Sequence, residues 1–579
     1  MGTISDKLMR IINTKEDIRR ALISKGYDVP TSIPFKEYAK MISDLPCRVD
    51  YFPDIEGVVA RYSALGLTNE QMAANPVWVD KTGNGHDLQM KNFAWKEGSG
   101  ISDIYPGALV FDGVDDWAGC DNLPLLPKEK GYSIIALRNW ITRYDATQYK
   151  RPLISNLDTN DEGAFLIEYR KDENVNDVTG SYNSFTDVYI DDNNPITWQT
   201  SSSYNGQIIK KGTSKSTNKL CICKTYFGQL SNYANAAIWE LIILDHDATE
   251  EELTKIKDYF VKTYPWLFPD QAWTTVGKTN EDEDRATIAN ITGNGNDLVL
   301  SNLGFAEGSG YGLYAQNYIS YAITNRAVYT KTNSSIHVTK SITAGVNFTE
   351  SARNVTIPSY RIKVTGIQSG QEMIYRGSNN TFLTNIPSDG IYVLPAVENG
   401  SNLGFQFVSY TGDCDITIEQ IPEYEGYLVT DGVDDKIVSA ESIAFTDTWI
   451  IITDTVFLGK VSVASGILAS NIFTVYNYQG SGTIAVTMGE GGSSLRVITS
   501  SIKAFSSDGT IYDAEWNEYH VEIGTIRALE RLLKIGTSSN ETSYFCQLAF
   551  KFLGIYNNQI FSKDDCIKAY NYLQTLKAK

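Results

Sequence analysis

Carboxylates are concentrated in a five-residue motif, Asp-Gly-Val-Asp-Asp, that occurs twice in the chain, at 112–116 and 431–435. Calcium prefers clustered carboxylate oxygens. The candidate metal ligands are the three aspartates of each motif: Asp112, Asp115, Asp116, Asp431, Asp434 and Asp435. Asp-Gly is also a hairpin-turn dipeptide, and the sequence favours this structural interpretation over a calcium site.

A serine-rich segment with two aromatic residues is the best candidate for sugar binding. It runs from Trp198 to Tyr204 and Asn205. Aromatic side chains combine an apolar face with polar edges, so exposed rings beside small polar residues suit a sugar ring. Trp198, Tyr204 and Asn205 are therefore the candidate glycan-binding residues. Loops of this composition also occur without a ligand, and the sequence leaves both interpretations open.

Residues that could support catalysis are scattered. A retaining glycoside hydrolase needs two carboxylates facing one cleft, and the chain contains no Glu-x-Asp-x-x-Glu run. The four histidines, at 86, 246, 337 and 520, lack a nucleophile at a suggestive spacing. The glycine-rich segment 308–312 lacks the spacing and the lysine of a phosphate-binding loop. The sequence therefore predicts that the protein is not an enzyme.

The seven cysteines predict neither a disulfide framework nor a zinc site. Their number is odd and their spacing irregular, whereas zinc sites use closely spaced pairs of ligands. Cys221 and Cys223 are expected on one face of a strand, but no second pair completes a metal site. The aspartate motifs therefore make calcium the one cofactor for which the chain offers candidate ligands.

The net charge of −19 excludes several classes of partner. Nucleic-acid binding depends on basic residues that neutralise phosphates, so nucleic acids and anionic membranes are poor candidates. No segment approaches the roughly 18 apolar residues of a membrane helix, and the N-terminus lacks the apolar stretch of a signal peptide. We expect cytoplasmic synthesis and assembly, with a glycan or another protein as partner.

The first 49 residues differ from the rest of the chain because their apolar residues follow a helical period. One or two helices are predicted, followed by a shorter helix that begins at Pro34. Such a short hairpin has little core of its own, so its apolar stripe packs either on the next domain or on an assembly. The candidate attachment residues on these helices are Leu8, Ile11, Ile18, Leu22, Phe35 and Tyr38.

From residue 50 onward the pattern is strand-like and contains an internal repeat. Thr-Gly-Asn-Gly-x-Asp-Leu occurs at 82–88 and again at 292–298, an offset of 210 residues. The aspartate motif recurs at an offset of 319 residues, so the second copy carries an insertion of 109 residues. Each copy ends in an apolar strand followed by a helix with acidic residues in its first turn.

These boundaries predict a mainly β protein with four segments. They are a helical attachment segment at 1–49, a first sandwich at 50–268, a second sandwich at 270–315 and 425–579, and a nested small β-sandwich at 316–424. The nested segment alternates apolar and polar residues with period two and is punctuated by glycine turns.

The two repeated motifs, their order and the terminal strand and helix resemble the laminin-G-like, concanavalin-A-like lectin/glucanase superfamily. The resemblance covers 54–268 and, without the insertion, 270–579. It implies two tandem jelly-roll sandwiches. It does not fix a function, because one fold hosts many functions.

The leader, which contains Ile-Asn-Thr-Lys-Glu-Asp-Ile at 12–18 and Phe-Lys-Glu-Tyr-Ala at 35–39, resembles the opening segment of virion proteins from tailed bacteriophages, including crAss-like phages of Bacteroidetes. The resemblance implies a homo-oligomeric fibre or decoration protein of the head or tail, located in the virion. Residues 1–49 would bind other virion proteins, and the sandwiches would bind host-surface glycan. The alternative is a bacterial surface or secreted protein that binds or processes polysaccharide.

Overall fold

The computed structural model describes most of the chain after residue 51, with gaps. The described residues are 52–126, 131–142, 150–158, 165–170, 183–186, 195–200, 217–228, 232–306, 308–312, 329–331, 334–339, 343–346, 355–357, 359–377, 382–400, 403–458, 465–470, 472–477, 483–489, 492, 494–499, 501–525, 530–537 and 545–578. The helices predicted within 1–49 lie outside these ranges, and so do the six candidate attachment residues.

The described part of the chain is mainly β, with several antiparallel sheets and few helices. It forms two compact units. Unit 1 comprises the described residues of 52–103, 107–186 and 195–265, and unit 2 comprises 104–106 and the described residues of 266–578. No helix among the described residues is long and apolar enough to cross a bilayer.

Unit 1 consists of short strands and two helices. In chain order its elements are β1 (Val58–Ser63), α1 (Asn69–Ala74), β2 (Val77–Trp78), β3 (Leu88–Lys91), β4 (Gly100–Ile101), β5 (Leu109–Asp112), β6 (Trp117–Cys120), β7 (Ser133–Thr142), β8 (Lys150–Ser155), β9 (Phe165–Arg170), β10 (Asn183–Thr186), β11 (Ile196–Thr200), β12 (Leu220–Ile222), β13 (Asn235–Leu244) and α2 (Glu250–Thr263).

The strands of unit 1 form two sheets. One has the order β11-β7-β13-β5-β4, with β1 also paired to β13, and the other has the order β10-β9-β8-β12-β6-β3-β2. All these pairs are antiparallel except β9 with β10. The central strand β13 is buried along nearly its whole length. Its apolar sequence therefore follows from coverage on both faces rather than on one.

Unit 2 continues the chain after a short 3-10 helix, Pro265–Leu267. Its elements are β14 (Gln271–Thr274), β15 (Thr287–Ile288), β16 (Leu298–Ser301), β17 (Gly310–Tyr311), β18 (Tyr329–Lys331), β19 (Ser335–Val338), β20 (Val355–Ile357), β21 (Tyr360–Thr365), β22 (Met373–Arg376), β23 (Phe382–Ile386), β24 (Gly390–Leu394), β25 (Val397–Gly400), β26 (Gly404–Phe407), β27 (Ile416–Ile421), β28 (Leu428–Val429), β29 (Lys436–Ser439), β30 (Ile443–Ala444), β31 (Trp449–Phe457), β32 (Ser465–Ala469), β33 (Phe473–Asn477), β34 (Thr483–Met488), β35 (Ser494–Ile498), β36 (Ile502–Ser506), β37 (Thr510–Asp513), β38 (Glu518–His520), β39 (Glu530–Arg531), β40 (Lys534–Ile535), β41 (Leu548–Asn557) and α3 (Lys563–Thr575).

Unit 2 repeats the strand order of unit 1. One sheet has the order β17-β28-β41-β31-β36-β37-β38, with β14 paired to β41, and the other has the order β15-β16-β29-β40-β32-β33-β34-β35. The strands β4, β5, β13, β7 and β11 of unit 1 thus correspond to β17, β28, β41, β31 and β36. Rings from the two sheets meet in one core, where the centroids of Phe473 and Phe505 lie 4.8 Å apart.

The insertion lies between strands that are consecutive in unit 1. In unit 1 seven residues, 102–108, join β4 to β5, whereas in unit 2 the equivalent β17 and β28 pair across residues 312–427. The Gly312 N–H donates to the Tyr427 carbonyl at 2.8 Å, as Ser102 donates to Ala108 at 3.1 Å. The two ends of the inserted segment therefore lie side by side.

The inserted strands β18–β27 have a core of their own, and we call this segment the nested module. Its largest sheet has the order β18-β19-β27-β21-β24, and a second sheet has the order β23-β22-β26. Side chains from both sheets form a single apolar cluster that includes Ile362, Ile418 and Phe405. This cluster is separate from the core of the host sandwich.

The terminal helices α2 and α3 begin in the same way. Thr249 and Glu252 form a reciprocal capping box at the start of α2, and Ser562 and Asp565 do so at the start of α3. The predicted strand followed by an acid-rich helix start is confirmed in both units. The buried residues of α2 are Ile256, Tyr259, Phe260 and Thr263.

Candidate functional site

The first aspartate motif is a turn that joins β5 to β6, and we call it the first Asp turn. Asp112 closes it, because its Oδ1 accepts hydrogen bonds from the backbone N–H groups of Val114 (2.8 Å), Asp115 (3.2 Å) and Asp116 (3.3 Å). Asp116 Oδ2 accepts from the Asp112 N–H at 3.1 Å. One oxygen of each carboxylate is therefore used to fold the turn, as predicted for an Asp-Gly turn.

The second Asp turn, at 431–435, has the same geometry in unit 2. Asp431 Oδ1 accepts from Val433 (2.7 Å) and Asp434 (3.4 Å), and Asp435 Oδ2 accepts from the Asp431 N–H (2.8 Å). The three carboxylates of each turn offer one oxygen apiece within 4.8 Å of one another. The structure thus brings together each of the two trios that the sequence named as candidate metal ligands.

The other repeated motifs support these turns. Asn92 donates from its side-chain amide to the Asp115 carbonyl at 2.9 Å, and Asn302 donates to the Asp434 carbonyl at 3.1 Å. Ser99 lies near the Asp116 carboxylate, as Ser309 does near Asp435. The repeated loops that end in Gly-Ser-Gly are therefore packed against the Asp turns in both units.

The Thr-Gly-Asn-Gly-x-Asp-Leu motif is also a folding motif. Asp80 Oδ1 accepts from the Thr82 N–H at 3.0 Å, and Asp87 Oδ1 accepts from the Asp80 N–H at 2.8 Å. In unit 2 the Asn290 N–H donates to Asp297 at the same distance. Its recurrence follows from the need to close the same loop twice.

Burial distinguishes the last aspartate of each turn. Asp116 and Asp435 are both 0% exposed. Burial raises the pKa of each of these carboxyls to about 6, and the nearby serine and the backbone N–H of the turn offset only part of this rise. Oδ1 of each has no hydrogen-bond partner among the described residues.

The solvent side of each turn is open. Val114 and Val433 occupy equivalent positions at the tips of the turns, and each is 71% exposed. Asp115 and Asp434 are exposed beside them. Each turn therefore presents an apolar side chain and a carboxylate to solvent above a buried carboxylate. An arrangement of this kind can bind a cation or a polar partner.

No protein-family model matches this chain, and no curated protein matches its sequence. The geometry of the two turns is therefore the main guide to function.

The predicted glycan-binding residues fall mostly outside the described ranges. Trp198 lies in β11, where its backbone is opposite Ile135 of β7. Tyr204 and Asn205 lie outside the described residues. Sugar binding at this segment stays a prediction.

Cys221 and Cys223 are buried free thiols. Burial raises the pKa of the Cys223 thiol well above its usual value, with a smaller contribution from Asp116. Cys223 also has a φ of 58°, in the left-handed region, where the corresponding residue of unit 2 is Gly536 with a φ of 79°.

His246 is paired with two carboxylates at the start of α2. Its Nδ1 lies 3.2 Å from Asp245 Oδ1 and its Nε2 lies 3.2 Å from Glu252 Oε1. Burial lowers the pKa of His246, but the two carboxylates outweigh burial and the net direction is upward. The pair holds the strand-to-helix connection together.

A buried ionic network in unit 1 was not predicted from the sequence. Arg61 donates from Nε to Glu240 Oε1 at 2.6 Å and from Nη2 to the Tyr259 hydroxyl at 2.7 Å. Tyr264 donates to Glu240 Oε2 at 2.8 Å. The signal for this network was Glu240 itself, an acid within an otherwise apolar strand. The network joins β1, β13, α2 and the residue that caps α2, Tyr264. Its role is therefore structural.

Proposed function

We propose that this protein is a structural component of a phage virion, a fibre or decoration protein of the head or tail. Its N-terminal segment attaches it to other virion proteins. Its two sandwiches bind glycan on the host surface. We assign both sandwiches to the concanavalin-A-like jelly-roll class.

The strand order supports the jelly-roll assignment. In unit 2 two antiparallel sheets of eight strands each share one core. Unit 1 repeats the order of the shared strands. Paired antiparallel sheets around a common core are the framework of lectin-type sandwiches.

The observation that carries the binding function is the exact repetition of one exposed surface feature. Each sandwich presents the same turn, with a valine at the tip and an exposed aspartate beside it. Repeated modules that each bind weakly reach useful avidity when several are carried on one particle. This arrangement suits a multivalent attachment protein.

Binding is tested on a glycan array with the full chain, both as purified and after multimerisation on a bead. We expect single-site affinity near about 1 mM, which corresponds to about −4 kcal/mol, and a gain of roughly a hundredfold on multimerisation. A reducing-end release assay on the same polysaccharides should stay negative. Reducing-end release that disappears when a carboxylate is substituted would refute the binding-only function.

Virion location is tested independently. Mass spectrometry of particles purified by density gradient should find the protein, and immunogold labelling should place it on the head or the tail. A protein found only in the culture supernatant or on the bacterial surface would refute the virion assignment.

A further inference from the structure

We infer that each Asp turn is a binding site for a divalent cation, with calcium as the ion that the donor set fits best. The inference concerns unit 1 and unit 2 separately, and it does not depend on where the protein is located.

The donors of each turn are spaced closely enough to share one ion. In each turn three carboxylate oxygens lie within 4.8 Å of one another. Calcium binds oxygen at 2.3–2.6 Å, so two of its ligands can stand up to about 5 Å apart. The spacing of the three oxygens is therefore close to that of ligands of one calcium ion.

An oxygen without a hydrogen-bond partner among the described residues lies at the base of each turn. Asp116 is fully buried, its Oδ2 is held by the Asp112 N–H, and its Oδ1 has no partner among the described residues. Asp435 repeats all three features. A buried carboxylate oxygen without a partner is costly, and its occurrence at equivalent positions of two units indicates a ligand rather than an accident of packing.

The charge of each turn also favours a cation. Each turn concentrates three carboxylates, and none of the six aspartates forms an ion pair within the described part of the chain. Like charges at this spacing repel one another, and a bound cation is the direct way to neutralise them. No arginine or lysine side chain takes that role in the described ranges.

The coordination shell would be open towards solvent. Asp115 and Asp434 are exposed, so water or a polar group of a partner can complete the coordination of the ion. Calcium sites of surface modules with few protein ligands bind at about 10⁻⁴–10⁻³ M, and we expect both turns to fall in this range.

The test is isothermal titration of the full chain with CaCl2 after treatment with EDTA. We expect two calcium ions per chain. Asp115→Asn should weaken the site in unit 1 by about tenfold or more, and Asp434→Asn should do the same in unit 2. The double variant should bind no calcium at millimolar concentration. Both positions are exposed, so these variants are expected to fold.

Asp258→Asn is the matched control, because Asp258 is an exposed acid on α2 outside both turns. It should leave the stoichiometry at two. Absence of calcium binding by the unsubstituted protein at 10 mM CaCl2 (about ten times the weakest expected dissociation constant) would overturn the inference. Two sites that persist in the double variant would also overturn it.

A proton on the buried aspartate is the competing explanation for the unpartnered oxygen. Under it, Asp116→Asn and Asp435→Asn would raise the thermal midpoint of the EDTA-treated protein, and calcium would leave the midpoint of the unsubstituted protein unchanged. Under the cation inference, 10 mM CaCl2 (again about ten times that constant) raises the midpoint of the unsubstituted protein and not that of the double variant Asp115→Asn/Asp434→Asn.

Discussion

The buried pair of Arg61 and Glu240 has an apolar counterpart in the same chain, which makes its energetic contribution testable. Tyr62 lies opposite Leu241 in unit 1, as Trp273 lies opposite Leu553 in unit 2. In unit 1 the residues that precede Tyr62 and Leu241 are Arg61 and Glu240. In unit 2 the residues that precede Trp273 and Leu553 are Ala272 and Phe552. Both Ala272 and Phe552 are fully buried. In unit 2 an alanine and a phenylalanine thus occupy the positions at which unit 1 has an ion pair.

The equivalence of these positions is supported by hydrogen bonds one residue further along. The Tyr62 hydroxyl donates to the His86 carbonyl, and the Trp273 Nε1 donates to the Asn296 carbonyl. His86 and Asn296 occupy the same position of the repeated loop motif. The two aromatic residues therefore make the same contact, which fixes the alignment of the strands.

We expect Glu240→Ala to lower the free energy of unfolding of unit 1 by about 3–5 kcal/mol, because it removes the carboxylate that pairs with the buried Arg61 guanidinium. The double variant Arg61→Ala/Glu240→Phe installs the residues of unit 2 and removes both charges. It removes Glu240 and Arg61 as hydrogen-bond partners of the Tyr259 hydroxyl and Glu240 as the acceptor of the Tyr264 hydroxyl, at a cost of about 1–3 kcal/mol. The double variant should therefore be more stable than the single variant by about 2 kcal/mol.

The assay is hydrogen exchange followed by mass spectrometry at increasing urea concentration, since peptides report each unit separately. Unit 2 carries none of the substituted residues, so its unfolding midpoint serves as the internal control. Equal destabilisation by the single and double variants would refute the reasoning, because it would mean that the loss of packing, and not an unpaired charge, dominates. A cost below about 1 kcal/mol for Glu240→Ala would refute it as well.

Three further predictions concern the insertion, a glycine of the first Asp turn and His246. Replacing 313–426 with the five residues 103–107 of the unit 1 turn should preserve the strand pairing of unit 2, and loss of its cooperative unfolding would show that the nested module supports the host fold. Gly113→Ala should lower the thermal midpoint more than Gly83→Ala does. Both glycines have a positive φ, which costs an alanine about 1–2 kcal/mol. Only at Gly113 would the added Cβ also meet backbone, at 2.9 Å from the Asn235 nitrogen. The ion pairs of His246 should stabilise unit 1 below about pH 6.5, which is the usual pKa of a histidine. This contribution is lost as the pH rises through the raised pKa of His246. If His246→Gln left the pH dependence of stability unchanged, the prediction would be wrong.

The sequence was sufficient for the features that depend on local or repeated patterns. The two copies, the place of the insertion and the capped helices that close each unit all follow from motif spacing and from residues within a few positions of one another. Asp112 illustrates why: the residues that it holds are its immediate neighbours in the turn. The six aspartates could be grouped correctly for the same reason.

The features that depend on distant residues could not be predicted. Arg61 and Glu240 are 179 positions apart, and no local pattern indicates that they meet. The unpartnered oxygens of Asp116 and Asp435 depend on burial by neighbouring loops, which the composition of the turn does not reveal. The choice between an ion pair and an apolar pair at one position also requires the register of strands from opposite ends of each unit.

The position of the nested module has a consequence for the order of folding. Pairing β17 with β28 closes a loop of 116 residues, whereas the equivalent pairing in unit 1 closes a loop of seven. For flexible chains this difference corresponds to about 2.5 kcal/mol of additional closure entropy. A nested module that folds first holds its own ends together and removes most of this cost. We therefore expect the second sandwich to fold faster when the nested module has already folded.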